Sequence, residues 1–266
     1  MNVVAMVSAK GGTGKTVLAC ALADLLAETG RGVVVVDADP QGVATRRFLR
    51  EASGGLHVVA EAAVHGADLR EAVRNSVHRV GDRVAVVPAT GELLAWEDSV
   101  RCGGTAQVLL KTVLDELGAE GWQWVLVDTP GYVSAWFAAA ASVADVCVMP
   151  LDPTYPGWVG AVETYGAWQN HREWGVTSSE LVVVPNRVRR TNECAEVLEL
   201  AKRKFLHAVF APPVPFTAVA GEAYAGGLRL KWCLSADPRK RRFCEAVRGL
   251  LEVLVEVVRR RGVEEV

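Results

Sequence analysis

The chain has 266 residues, half of them hydrophobic, and a formal charge of −2. That length can bury a large core, and an α/β chain of this size is commonly one domain, so a single domain over 1–266 is expected. The longest stretch free of Asp, Glu, Lys, Arg and His, Thr129 to Ala144, falls short of the roughly 20 residues that span a bilayer. With no leader ahead of the first apolar run, a soluble cytoplasmic protein is expected. Six scattered cysteines without a Cys-x-x-Cys pair argue against a disulfide framework or a zinc site. The charge is uneven: residues 187–266 hold 16 Lys and Arg against 10 Asp and Glu, and residues 1–186 hold 13 against 21. A basic C-terminal third points to one face that meets an anion, or to helix faces that are simply solvated.

The apolar run Val3–Val7 predicts a first strand, and Ala9-Lys10-Gly11-Gly12-Thr13-Gly14-Lys15-Thr16 follows it. An Ala- and Leu-rich segment with helical spacing then runs from Thr16 to about Glu28 and stops at Gly30. Strand, glycine loop and helix together form the setting of a phosphate-binding loop. Its backbone N–H groups curl around phosphate oxygens and the helix presents its positive end. Lys15 then reaches the outer phosphates, and the Thr16 hydroxyl ligates Mg²⁺. Ala9 stands where the usual eight-residue pattern has its first glycine, and Lys10 adds a second lysine.

Val33-Val34-Val35-Val36 reads as a strand buried on both faces, the mark of a parallel sheet. It delivers Asp37-Ala38-Asp39-Pro40-Gln41-Gly42 to the end where ligands of open α/β sheets lie. Asp37 and Asp39 alternate across the strand, so only one of them approaches a γ-phosphate. Short strands are expected near His57–Ala60 and at Arg83–Val87, around a helix at Leu69–Arg79. Helices near Glu92–Val100 and Thr105–Leu117 lead to a buried strand, Trp124–Asp128, that ends on a candidate magnesium-holding acid. Strands at Asp145–Met149 and Leu181–Val184 follow. Alternating strands and helices predict a doubly wound, mostly parallel α/β sheet. From Pro238 to Arg261, apolar residues at 243, 247, 250, 251, 254, 255 and 258 make one helical face, expected to pack on the sheet rather than lie on a membrane. The eight tryptophans read as core or interface residues.

These motifs resemble those of the ParA/MinD superfamily, the P-loop NTPases with a deviant Walker A motif, and most of all its ParA (Soj-like) partition branch. The similarity runs nearly end to end. It is carried by Lys10–Thr16, by the valine strand with Asp37–Gly42, and by Asp128-Thr129-Pro130, with weaker echoes at Pro185-Asn186-Arg187, Glu222-Ala223 and Gly226-Gly227. The resemblance implies an ATPase of slow intrinsic rate that uses ATP and Mg²⁺ and dimerises around the nucleotide. Lys10 resembles the lysine that crosses to the partner's phosphates. Asp39 sits where the family's catalytic aspartate orients water. Thr16, Asp37, Asp39 and Asp128 are implied for the magnesium shell. Gly11, Gly12, Thr13, Gly14, Lys15 and Val17 are implied for the phosphates, and Asn186 with Pro213 in the Pro212–Pro215 turn for the adenine. Gly131 stands where a second proline is common, so the second switch is expected to differ in shape.

For the purpose of the cycle, three readings stay open. The first is a DNA-partition ATPase whose ATP dimer binds nonspecific DNA, associates with the nucleoid and is released by a ParB-like partner protein. Its DNA-binding candidates are Arg187, Arg189, Arg190, Arg239, Lys240, Arg241 and Arg242. The last four crowd the start of a helix capped by Asp237-Pro238, where cations oppose the helix dipole unless an anion sits there. The second reading is a MinD-like ATPase cycling on a membrane, and the third a metabolic P-loop enzyme of the same fold.

Overall fold

The computed structural model describes residues 1–96 and 105–262. Its strands are β1 (Asn2–Met6), β2 (Val33–Asp37), β3 (His78–Arg79), β4 (Val84–Val87), β5 (Trp124–Asp128), β6 (Val146–Leu151), β7 (Glu180–Pro185) and β8 (Ala208–Phe210). They form one sheet in the order β3-β4-β2-β5-β1-β6-β7-β8. Every pairing is parallel except β3 with β4, which is antiparallel. The doubly wound sheet read from the pattern is therefore present. β1 lies between β5 and β6, where the direction of winding reverses, and the carboxyl ends of the strands open there into a crevice.

Both faces of the sheet are covered, which explains the uninterrupted valines of β2. Val34 and Val36 enter one core, while Val33 and Val35 enter the other. Successive side chains of a strand point to opposite faces, so a strand without polar residues needs two apolar layers. One layer comprises α1 (Lys15–Glu28), α2 (Val43–Phe48), α9 (Val219–Gly226) and α10 (Pro238–Arg260). The other comprises α3 (Leu56–His65), α4 (Leu69–Ser76), α5 (Thr105–Ala119), α6 (Ala135–Val143), α7 (Tyr155–Glu173) and α8 (Asn192–Lys204). The apolar stripe of α10 packs as expected: Phe243, Val247, Leu250, Leu251, Leu254 and Val258 are buried in the core, and Val255 is half-buried. No helix among the described residues is long and apolar enough to cross a membrane.

Several expectations need correction. His57–Ala60 is not a strand but part of α3, which starts after Gly55 (φ 119) and ends on Gly66 in the left-handed region (φ 67). Its buried residues Leu56, His57, Val59, Ala60 and Ala62 follow a helical face. The helix expected over Leu69–Arg79 stops at Ser76, and His78–Arg79 pairs with β4 instead. Of the helix expected over Glu92–Val100, residues Gly91–Trp96 form a 3₁₀ turn, and 97–100 lie outside the described residues. Cys233 and Cys244 are joined by a disulfide that ties the 3₁₀ turn Leu230–Leu234 to the start of α10, with Cα atoms 5.2 Å apart. Their spacing of eleven residues matches no compact motif; it is the turn between α9 and α10 that brings them together. Cys20, Cys147 and Cys194 are buried and free, and Cys102 lies outside the described residues. Trp122, Trp124, Trp136 and Trp168 are core residues, whereas Trp174 is 71% exposed at the end of α7.

Candidate functional site

The loop between β1 and α1 takes its shape from its glycines. Gly12 (φ 76) and Gly14 (φ 97) occupy the left-handed region, and Gly14 caps α1 with no side chain bonded to the helix's first N–H groups. Those donors stay available to an anion in the crevice. The loop is tightly packed at Gly14 and beside Gly11, while Gly11 and Gly12 themselves are exposed. A Cβ on Gly14 would strike the Asn186 amide, and one on Gly131 would lie 2.7 Å from Gly11 Cα. Gly131 therefore permits the loop after β5 to touch the phosphate loop backbone to backbone, a fit that a proline ring would block.

Behind the loop sit the acids. Asp37 and Asp128 are adjacent in register at the ends of β2 and β5, and both are fully buried. Thr16 Oγ1 donates to Asp128 Oδ2 at 2.6 Å, while Asp128 Oδ1 and Thr13 Oγ1 are buried without a partner among the described residues. Asp37 accepts from the Asp39 N–H, the Thr45 N–H and the Thr45 hydroxyl. Burial, then the charge of Asp128, raises the Asp37 carboxyl to about 8 despite those donors. Burial raises Asp128 to about 6 against the pull of Thr16 and Lys15. Two neighbouring carboxyls in a dry pocket share a proton unless a cation neutralises them. With its unpartnered oxygen, the pair fits a divalent cation held with Thr16.

Carboxyls whose pKa rises on folding contribute stability that is complete below their unfolded value and lost as pH climbs through the folded one. The window here runs from about 4 up through about 6 for Asp128 and about 8 for Asp37. The thermal midpoint of the nucleotide-free protein is therefore expected to fall between pH 5 and pH 8, and Asp37→Asn to flatten that fall. Parallel melting curves of the two proteins across this range check it.

Lys15, at the first position of α1, is buried. Burial lowers its pKa, and the charges of Asp128 and Asp39 oppose that shift. Asp39 is half-buried and accepts from the Gln41 N–H, so Asp37 and Asp39 do occupy different environments. Lys10 differs from Lys15: it is half-exposed, and its ammonium has no hydrogen bond or ion pair among the described residues. Val17 is half-buried on the first turn of α1.

After β7 the chain crosses back to the loop. Asn186 Nδ2 donates to the Thr13 carbonyl at 2.7 Å. Arg187 (φ 60) has the only positive φ of a non-glycine among the described residues, and its guanidinium bonds the Gly12 carbonyl and Asp152. Such a backbone is uncommon and persists where its surroundings impose it. Arg187, grouped above with a DNA patch, is thus bonded to the phosphate loop. The exposed Pro213 lies on a turn pinned beside Asn186, because the Val214 N–H donates to the Pro185 carbonyl and its carbonyl accepts from the Val188 N–H.

The other basic candidates divide. Arg189 lies 3.9 Å over the ring of Phe216, and Arg190 is exposed. At the start of α10, the anion that offsets the crowded cations comes from the chain itself. Asp237 caps the helix and pairs with Arg239, which holds its carboxyl down at about 2. Lys240 pairs with Glu222 at 3.0 Å and lies over Trp232. Arg241 and Arg242 remain exposed, with no side-chain partner among the described residues. Thr45, Asp152, Thr164 and Gly160 also belong to the site's surroundings; of these, only a glycine inside a helix carried a signal in the sequence.

The family model described as an AAA domain matches residues 1–171. The sporulation initiation inhibitor protein Soj of Bacillus subtilis is 27% identical over 243 residues, covering 90% of this chain and 93% of that protein. The chromosome-partitioning ATPase Soj of Thermus thermophilus is 35% identical over 152 residues, 57% of this chain and 55% of that protein. Among solved structures, a Cyanothece McdA–ATP complex superposes with a TM-score of 0.80 at 19% identity, covering 100% of this chain and 98% of that one.

Proposed function

The chain belongs to the AAA-domain family, within the ParA/MinD superfamily, and on that premise we propose that it is a Soj-like ATPase that dimerises on ATP, binds DNA without sequence preference in that state, and lets go on hydrolysis. The observation that carries the reading is the unequal pair of lysines on one loop. Lys15 is buried beside Asp128 and serves its own nucleotide. Lys10 is half-exposed, with no partner for its ammonium among the described residues, and is suited to phosphates that its own subunit does not hold.

In this reading the loop N–H groups and Lys15 bind the β- and γ-phosphates of ATP, with Asn186 and the turn at Pro213 beside the base. Thr16, Asp128 and Asp37 are the residues that would hold Mg²⁺. When bound there, the metal would neutralise part of the phosphate charge. Asp39 accepts a hydrogen bond from the attacking water and orients it. Lys10 of the second copy adds the positive charge that a single subunit lacks, which couples dimerisation to hydrolysis. Release by a ParB-like partner and association with the nucleoid complete the proposed cycle. The burial of the apolar face of α10 favours DNA over a membrane, because that face is packed on the sheet and is not free to bind lipid.

ATPase rate and dimer fraction, each measured with and without nonspecific duplex DNA, test the proposal. An ATP-dependent dimer that is retained by DNA only in the ATP state is expected; a monomer with ATP, or turnover that depends on a metabolite and ignores DNA, rejects it. Replacing both free cations, Arg241→Ala with Arg242→Ala, should weaken duplex binding and reduce the slope of log affinity against log salt by about 2. An unchanged slope removes the start of α10 from the DNA surface.

A further inference from the structure

We infer that helix α7, through Gly160 and Thr164, sets the position of Lys10, which makes these two the positioning residues of the crossing lysine. The inference rests on the proposed dimer but concerns contacts within one subunit. A glycine inside a nineteen-residue helix weakens it, so its presence at 160 calls for a reason. A Cβ there would lie 2.7 Å from Lys10 Cβ and 3.2 Å from Lys10 Cδ. The lysine stem therefore lies in the notch that the missing side chain leaves. The atom in the way is at the root of the side chain, where a change of rotamer brings no relief.

One turn further on, Thr164 is fully buried, and its hydroxyl donates to the Gly160 carbonyl at 2.6 Å. That bond orients the oxygen, which accepts from the Ala9 N–H at 2.8 Å. Ser8 closes the arm from the other side: its hydroxyl donates to the Lys10 carbonyl at 2.9 Å and accepts from the Lys10 N–H at 3.2 Å. The backbone of residues 8–10 is thus held by three hydrogen bonds, and the stem of Lys10 by the helix surface. A methyl group at 160 must displace the lysine by about 1 Å to restore ordinary carbon–carbon contact, while Lys15, on the far side of the loop, keeps its own surroundings.

Gly166 provides the control. It lies in the same helix, and a Cβ there meets nothing within 4 Å, so Gly166→Ala improves helix propensity without touching Lys10. ATP affinity is expected to match wild type in both Gly160→Ala and Gly166→Ala. ATP-dependent dimer formation and kcat are expected to fall by about 10²-fold in Gly160→Ala alone, the scale of loss for a misplacement of about 1 Å. Thr164→Val should free the Ala9 amide and speed its hydrogen exchange about tenfold or more in the nucleotide-free protein, and Thr164→Ser should restore protection. Gly160→Ala that dimerises and turns over like Gly166→Ala, or that loses ATP binding outright, overturns the inference, as does unaltered Ala9 exchange in Thr164→Val. A wild-type protein that stays monomeric with ATP rejects the proposed function instead, and the exchange measurement still decides whether α7 holds the loop.

Discussion

Lys15→Ala is expected to abolish ATP binding, lowering affinity by at least about 10²-fold, or roughly 3 kcal/mol. The lysine is the buried positive charge of the phosphate loop, and its surroundings are acidic: Asp128 and Asp39 both act on it. Without it, a triphosphate carrying several negative charges meets Asp128 and Asp39 with no buried cation between them and the phosphates. The loop's N–H groups and the end of α1 still attract phosphate, but helix-terminus effects amount to about 0.3–1 kcal/mol each. Calorimetric titration with ATP and Mg²⁺ measures the loss, with circular dichroism to show that the fold is intact. Affinity within a few-fold of wild type would show that Lys15 does not grip the nucleotide.

Asp39→Ala has the opposite profile. ATP should still bind, turnover should fall by about 10²–10⁴-fold, the range for losing a group that handles the proton of the reacting water, and an ATP-bound dimer should persist through size-exclusion chromatography. The position allows a clean test. Asp39 is half-buried and its carboxylate makes one local bond, to the Gln41 N–H, whereas Asp37 receives the Asp39 N–H through the backbone, which alanine preserves. Little else should change. Normal hydrolysis by this variant would remove Asp39 from the chemistry.

The sequence revealed the parts of the fold whose signal is local. A valine run buried on both faces, a glycine loop between strand and helix, and an amphipathic final helix each carry their own periodicity, and each stands where the pattern put it. His57–Ala60 failed because a short apolar run fits a strand or a buried helix equally; what decides is Gly55 before it and Gly66 after it, both at positive φ. β3 and β8, of two and three residues, are too short to show alternation and exist through their partners. The site was legible where its residues are contiguous, from Lys10 to Thr16. Contacts such as Asn186 to Thr13 and Arg187 to Gly12, more than 170 positions apart, leave no trace in spacing. Charge counting for the same reason placed Arg187 with the DNA candidates, since a count does not say which way a guanidinium turns. The disulfide escaped likewise, because its pairing depends on the path of the chain between α9 and α10.

The two ends of the sheet carry a consequence of their own. One margin is a two-residue antiparallel strand and the other a three-residue strand, and so brief a ladder offers a neighbouring molecule little backbone on which to continue the sheet. Copies of this protein therefore gain little from pairing sheet edges into ribbons, so that an assembly of them is expected to use other surfaces.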